Sequence, residues 1–344
     1  MSAPAGAGAG APAAAQRAPA PFGQLREIQA PVREELDKVA EQLERVVSAD
    51  FPMIEAITGH LLRMKGKMFR PTLTLLASAV EDRPEPRAIS LAAVVELVHL
   101  ATLVHDDSVD HSTLRRGMPT INALFTHQIS VIMGDFLYSR AVVELVRGGD
   151  MTPLQVLAHA TNQMTIGEMR QLTALDALRF SETDYDALIR AKTASLLSAA
   201  CEIGAIAGAA QHRQALARYG LQLGMAFQIV DDLLDYTAEP SETGKPTGLD
   251  LREHKVTLPL IHALREMSSA DRAVIDTLFA DSEPSDEMIA SVIGIVEESG
   301  GLDYARRRGE RFAEEAADAL SDLPESRATA ALRDAIVYVM ERTQ

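Results

Sequence analysis

Two aspartate-rich pentads constrain this chain more than any other feature: Asp106-Asp107-Ser108-Val109-Asp110 and Asp231-Asp232-Leu233-Leu234-Asp235, each at the end of an apolar run, residues 91–104 and 221–230. On a helix the first and last Asp of such a pentad lie four apart on one face with the middle one close by, so each presents a claw of carboxylates. Like charges at that spacing cost an isolated helix roughly 0.2–0.5 kcal/mol per pair. Six carboxylates beside core-forming runs therefore call for cations. One such cluster could equally mark a solvated helix end; two copies shift the balance. Oxygen ligands without a Cys or clear His set select a hard cation, and Mg²⁺ usually completes its shell with water and substrate phosphates. The expected ligand is a Mg²⁺–phosphate complex, with several ions per site and Mn²⁺ as a substitute.

Phosphate needs cations near the claws, and they are present. Arg115 and Arg116 follow the first pentad, Lys245 and Lys255 the second, and Gly66-Lys67-Met68-Phe69-Arg70-Pro71 adds two more upstream. Of the 33 basic residues only six are Lys, at 38, 65, 67, 192, 245 and 255. A chain that draws most of its cations from Arg, yet sets Lys67, Lys192, Lys245 and Lys255 beside Gly, Thr or Pro, has a use for a compact, strongly hydrated ammonium there. Chance placement in loops is the competing reading.

Together these residues resemble a trans-isoprenyl diphosphate synthase of the polyprenyl synthetase family. The likeness runs from about residue 25 to 342 and takes in both pentads, Gly66-Lys67-x-x-Arg70-Pro71, Arg115-Arg116-Gly117, Lys192-Thr193, Phe227-Gln228 and Gly244-Lys245-Pro246. One departure stands out: His254 precedes Lys255 where the family often has Gly, which leaves the conformation of that loop open. The resemblance implies an all-α bundle of the isoprenoid synthase type, about ten to thirteen helices around a central cavity. It implies head-to-tail condensation of isopentenyl diphosphate with an allylic diphosphate by Mg²⁺-assisted ionisation, in a homodimer. In that scheme Asp106, Asp107, Asp110, Asp231, Asp232 and Asp235 hold metal. Lys67, Arg70, His99 and Arg116 grip isopentenyl diphosphate, Arg115, Lys192, Lys245 and Lys255 serve the allylic substrate, and Thr193 and Gln228 support it. His99 also has a plainer reading as a satisfied core residue. His105 and His111 flank the first claw and are read as structural or supporting, since nothing else points to zinc.

Product length turns on Ala101 and Thr102, five and four residues before Asp106 and so about 6–7.5 Å deeper along the helix. Both are small, whereas short-chain members of the family tend to carry bulky aromatics there or two extra residues within the first pentad. A medium- or long-chain product is expected. One turn deeper, Leu97 and Val98 are candidate linings. The alternatives are a geranylgeranyl or farnesyl diphosphate synthase, a class I terpene cyclase and a noncatalytic synthase subunit. The second pentad and the separate Lys67, Arg70 and His99 site speak against a cyclase.

Apolar periodicity and breakers place helices near 24–47, 52–64, 71–81, 87–112, 128–147, 153–175, 182–208, 211–236, 256–267, 270–280, 284–299, 302–321 and 325–342, with no strand. Pro71, Pro119 and Pro153 suit helix starts or their lead-ins, Gly148-Gly149 a stop, and 241–247 an exposed loop. Aromatic content of 4% with no Trp favours helix over sheet. The net charge of −16 argues against nonspecific nucleic-acid binding. A single Cys, Cys201, excludes an intrachain disulfide and reads as a small buried apolar residue. Residues 1–22, almost wholly Ala, Pro and Gly, are expected to be disordered, with one domain over 23–344. The tail lacks the basic start and apolar core of a signal peptide, and no apolar run looks long enough to span a bilayer, so a soluble cytoplasmic protein is expected. Arg306, Arg307 and Arg308 are expected on a solvent face, paired with Glu310, Glu314 and Glu315 along their own helix.

Overall fold

The computed structural model describes residues 21–64, 66–172, 177–237 and 247–343. Residues 1–20, most of the segment expected to be disordered, lie outside the described residues, as does 241–246 with Lys245. Apart from one short strand pair, the regular structure described is helical. Its buried apolar core is a single cluster running from Leu25 to Val339. Cys201 sits inside it, and burial pushes its thiol up.

The first-motif helix, Pro86–Val109, opens with Pro at a position whose N–H has no helical partner to lose. Its residues are apolar on all sides, which suits a central helix rather than a surface one. It packs against the His127–Arg147, Phe69–Ser78 and Arg33–Val47 helices. At 24 residues it is longer than the run at 91–104 and is apolar enough to cross a membrane by length and composition. Ala92, Ala93, Val95 and Leu97 are instead fully enclosed by neighbouring helices. The helix stops before the expected residue 112. Asp110 makes its last backbone bond, N–H to the Asp106 carbonyl at 2.8 Å, and His111 turns left-handed at φ 52°.

The second-motif helix, Arg213–Thr237, packs between the Ser195–Gly208 and Gly301–Ala319 helices. Gly224 allows backbone contact there, since a Cβ at that point would lie 2.5 Å from Ala194 Cα. On the other side Gly167 of the Met151–Leu172 helix approaches Ala191, where an added Cβ would be 2.9 Å from the Ala191 Cβ. Between these close contacts the helix expected over 182–208 is interrupted by a π-helical turn, Arg190–Ala194. That turn carries Lys192 and Thr193, and π turns gather at functional sites.

Two expectations need correction. The absence of strands gives way to a small antiparallel pair, Leu114–Arg115 with Met118–Pro119, with Leu114 opposite Pro119. Its connection, Arg116-Gly117, has φ of 53° and 73°, the doubly positive pattern of a tight hairpin turn, and two-residue strands are too short for alternation to reveal. Pro119 therefore ends a strand. The arginine triplet is not simply a solvent face either. Arg308 crosses to the Glu182–Ile189 helix, pairing with Asp186 at 2.7 Å and Glu182 at 3.3 Å while lying over Phe312. Such a partner is remote in sequence, so local spacing could not reveal it.

Candidate active site

The ends of the two motif helices open onto two adjoining cavities. One, of about 690 Å³, is lined by Val98, Ala101, Thr102 and Asp106 of the first-motif helix and faced by Tyr138 and Thr161. The other, of about 480 Å³, holds Asp110 of the first motif and Asp232 of the second, with Tyr185, Gln228 and Lys255. Lys192 and Thr193 line both, so the π turn forms the partition between them. The two motifs meet in the second cavity, where Asp110 and Asp232 line the same space. Leu97 is packed in the core, whereas Val98 faces the first cavity.

The six aspartates fall into two groups. Asp107 is buried and receives the Arg115 guanidinium, Nε at 2.8 Å and Nη2 at 2.7 Å. Asp232 is also buried; it accepts the Tyr185 hydroxyl at 2.5 Å and Gln228 Nε2 at 2.8 Å. Gln228 in turn accepts from the Thr193 hydroxyl at 2.7 Å, so a polar chain links the partition to the second motif. Burial, with Asp250 and Asp231 nearby, holds the Asp232 carboxyl well above its usual range. Asp235 accepts the backbone N–H groups of Leu249 and Asp250, both at 3.0 Å, and so caps the short Leu249–Arg252 helix.

Asp110 is exposed, and Asp106 and Asp231, like Asp235, are half-buried. Asp106 faces the first cavity, and its carboxyl is raised to about 6, chiefly by burial and further by Glu168 and Asp110. Asp231 pairs with Arg342 from beyond the last helix at 2.8 Å. Among the described residues no three acidic, imidazole or thiol groups gather around one metal position. Asp106 and Asp110 present carboxylate oxygens to the cavities, hard donors of the kind taken by ions that use one or two carboxylates and complete their shell with phosphate and water. The donor set therefore fits Mg²⁺ held jointly with a diphosphate.

A second polar cluster lies under the first helix. Arg70 is half-buried and its Nη1 donates to His99 Nε2 at 3.0 Å. Burial, with Arg70 and Arg116 nearby, holds His99 well below the usual imidazole range, so it is neutral, with its proton on Nδ1. Glu96, a carboxylate within the apolar run of residues 91–104, is buried here; burial pushes its carboxyl up while Arg70 and Arg116 pull it down. Arg116 donates to the Met64 carbonyl at 2.8 Å. Lys67 lies 5.7 Å from the centroid of the Tyr338 ring.

Lys192 is held by Glu168 at 2.7 Å and Gln171 at 3.1 Å. Lys255 pairs with Glu253 at 2.6 Å; burial lowers its affinity for a proton, but Glu253, Asp110 and Asp250 more than offset this and hold it above the ordinary lysine value. His254 resolves the open question about its loop. It adopts φ 55°, the left-handed conformation that favours Gly, with its ring against Phe279. Lys245 lies outside the described residues. Sequence reasoning missed Glu96, Glu168, Gln171, Tyr185 and Arg342. A charge inside an apolar run could have flagged Glu96; the others carry no local signal.

A family model for polyprenyl synthetase matches residues 51–296. The chain is 38% identical over 321 residues to the all-trans-nonaprenyl-diphosphate synthase (geranyl-diphosphate specific) of Rhodobacter capsulatus, covering 93% of this chain and 98% of that one. Its fold is similar to a decaprenyl diphosphate synthase from Rhodobacter capsulatus, with TM-score 0.88 and 37% identity over 93% of this chain and 99% of the other. It is also similar to a polyprenyl synthase from Caulobacter crescentus CB15 complexed with calcium and isoprenyl diphosphate, with TM-score 0.87 and 33% identity over 93% and 98%. With both aspartate motifs brought to one mouth and these likenesses spanning nearly its full length, the chain belongs to the polyprenyl synthetase family and is an all-α prenyltransferase, a polyprenyl diphosphate synthase.

Proposed function

We propose that the protein joins isopentenyl diphosphate head to tail, in trans geometry, to an allylic diphosphate and repeats the step to a medium or long polyprenyl diphosphate. The observation that carries this is the pair of cavities: carboxylates of both motifs and Lys192 at a shared partition, with a cavity running past small Ala101 and Thr102 beside it.

Asp106, Asp110 and Asp231 hold the Mg²⁺ ions, which when bound stabilise the charge on the departing diphosphate. Asp107, Asp232 and Asp235, counted with the metal ligands from the sequence, brace the motifs through Arg115, Tyr185 with Gln228, and the Leu249–Arg252 helix. Lys192 exchanges Glu168 for oxygens of the allylic diphosphate, and Lys245 and Lys255 add charge on the same side. Arg70, Arg116 and Lys67 receive isopentenyl diphosphate, with neutral His99 orienting Arg70. The allylic C–O bond breaks, the double bond of isopentenyl diphosphate attacks the resulting cation, and a proton leaves to the departing diphosphate. The tail extends into the cavity past Ala101.

A homodimer accords with the exposed apolar side chains Ile132 and Val146 of the His127–Arg147 helix and Met151, Met169 and Leu172 of the next. Residues 23–344 are read as one soluble, cytoplasmic domain. The test is incubation of the purified protein alone with Mg²⁺, isopentenyl diphosphate and farnesyl diphosphate, with products weighed by mass spectrometry. Extension well beyond geranylgeranyl length supports the reading. A cyclic hydrocarbon would make the protein a cyclase, and no product would make it a noncatalytic subunit.

A further inference from the structure

The last helix, Arg327–Met340, is followed by a single turn, Glu341–Thr343, and that turn reaches the mouth of the site. It is fixed from outside by Gln24, which donates to the Glu341 carboxylate. The next side chain, Arg342, points inward and is largely buried. Its Nη2 lies 2.8 Å from Asp231 Oδ1, and its guanidinium carbon lies 4.5 Å from the centroid of Phe227. Phe227 stands four residues before Asp231, one helical turn away on the same face, so one flat cation is held on both a ring and a carboxylate. The aromatic contact continues toward the other substrate. Phe227 stacks with Phe69 at 6.1 Å, Phe69 meets Tyr338 at 5.8 Å, and Lys67 lies over Tyr338 at 5.7 Å. Phe69 is also the chain neighbour of Arg70. Arg342 thus stands between a carboxylate of the metal side and the cations of the isopentenyl diphosphate side.

A guanidinium on Asp231 and a divalent cation on Asp231 oppose one another, because each supplies the positive charge the carboxylate needs. We propose that Arg342 is an internal counter-ion of Asp231 that yields the carboxylate when a divalent cation binds and then turns, still stacked on Phe227, to the diphosphate held by Lys67 and Arg70. It couples metal loading to completion of the isopentenyl diphosphate site. The coupling rests on the assignment of Asp231 and of Lys67 with Arg70 made above. A Lys at 342 keeps the charge but not the flat stack or the fork of donors, so it is a partial substitute.

The experiment titrates Mn²⁺ into the full-length protein without any diphosphate, following free Mn²⁺ by electron paramagnetic resonance, for wild type, Arg342→Ala and Arg342→Lys. Removing the competing cation should tighten Mn²⁺ binding in Arg342→Ala by about three- to tenfold, the scale of a part-buried ion pair. The same variant should raise KM for isopentenyl diphosphate several-fold with a smaller change in kcat, and Arg342→Lys should fall between. A merely structural role would not tighten metal binding. If Arg342→Ala melts at a lower temperature than wild type, Arg342→Gln, which keeps length and polarity without charge, carries the same expectation. Unchanged or weaker Mn²⁺ binding in the uncharged variants, beside intact chain extension by wild type, overturns the counter-ion role alone. No Mn²⁺ binding by wild type, or no chain extension, overturns the metal and substrate reading on which it stands.

Discussion

Asp106 shows how one carboxylate can be costly to the fold and useful to the site. Burial raises it to about 6, so in the folded protein it gives up its proton with more difficulty than in the unfolded chain. A carboxyl whose folded value lies above its unfolded one favours folding at acid pH, and that contribution is lost as pH rises through the folded value. In chelator, Asp106→Asn should therefore be more stable than wild type at pH 7.5, by on the order of 1–2 kcal/mol after allowing for solvent screening, with the gain gone near pH 4. Thermal unfolding at the two pH values checks this; an Asn variant no more stable at pH 7.5 would refute it. The same charge is what a cation requires. Asp106→Ala or Asp231→Ala should lower kcat by at least about 100- to 1000-fold without loss of the helical circular dichroism spectrum, since each removes a group placed where charge develops. Turnover within tenfold of wild type would exclude the metal assignment. At His254, as at Met68, His111 and Arg116, the backbone takes a shape better suited to Gly, and contact with Phe279 accompanies it.

At the scale of elements, the first-motif helix carries the proposed ruler of product length. Asp106, Thr102, Ala101 and Val98 descend one side of it into the same cavity, while Leu97 turns into the core. A bulky ring placed on this side should stop the growing tail at a depth set by position, with about 1.5 Å per residue. Ala101→Phe should shorten the product toward farnesyl or geranylgeranyl diphosphate, and Val98→Phe should stop it later. Mass analysis of the products reads both. Identical product lengths from wild type and Ala101→Phe would place the floor elsewhere. The π turn does for Lys192 and Thr193 what the end of the ruler does for Asp110. It turns side chains of an otherwise continuous helix toward the partition, and Gly224 and Gly167 hold that turn between two helices by backbone contact.

At the scale of the whole molecule, the His127–Arg147 and Met151–Leu172 helices carry a surface that the single chain leaves uncovered. Ile132 is 66% exposed and Met169 57%, values that belong to a contact face more than to an isolated surface residue. The protein should sediment as a dimer, and Ile132→Asp with Met169→Asp should shift it toward monomer. A wild-type protein that sediments as a monomer at micromolar concentration would rule the dimer out. Tyr138 and Thr161 of these same helices line the tail cavity, so this face and the cavity share walls.

The sequence by itself determined the helices, the two claws and the cations that surround them, because amphipathic periodicity, capping residues and motif spacing are local properties that survive without a folded partner. The missed π turn lies inside a helix whose boundaries were close, and the missed strand pair lies between two of the expected helices. Which donors each carboxylate of the claws meets is visible only in the tertiary structure. Asp107, Asp232 and Asp235 look like Asp106, Asp110 and Asp231 in the pentads, yet Arg115, Tyr185 and the Leu249–Asp250 backbone occupy the first three. Arg342 reached Asp231 in the same way, from the far end of the chain. A carboxylate's role follows from the donors and the desolvation around it, and those are set by residues that only the fold brings within 3 Å.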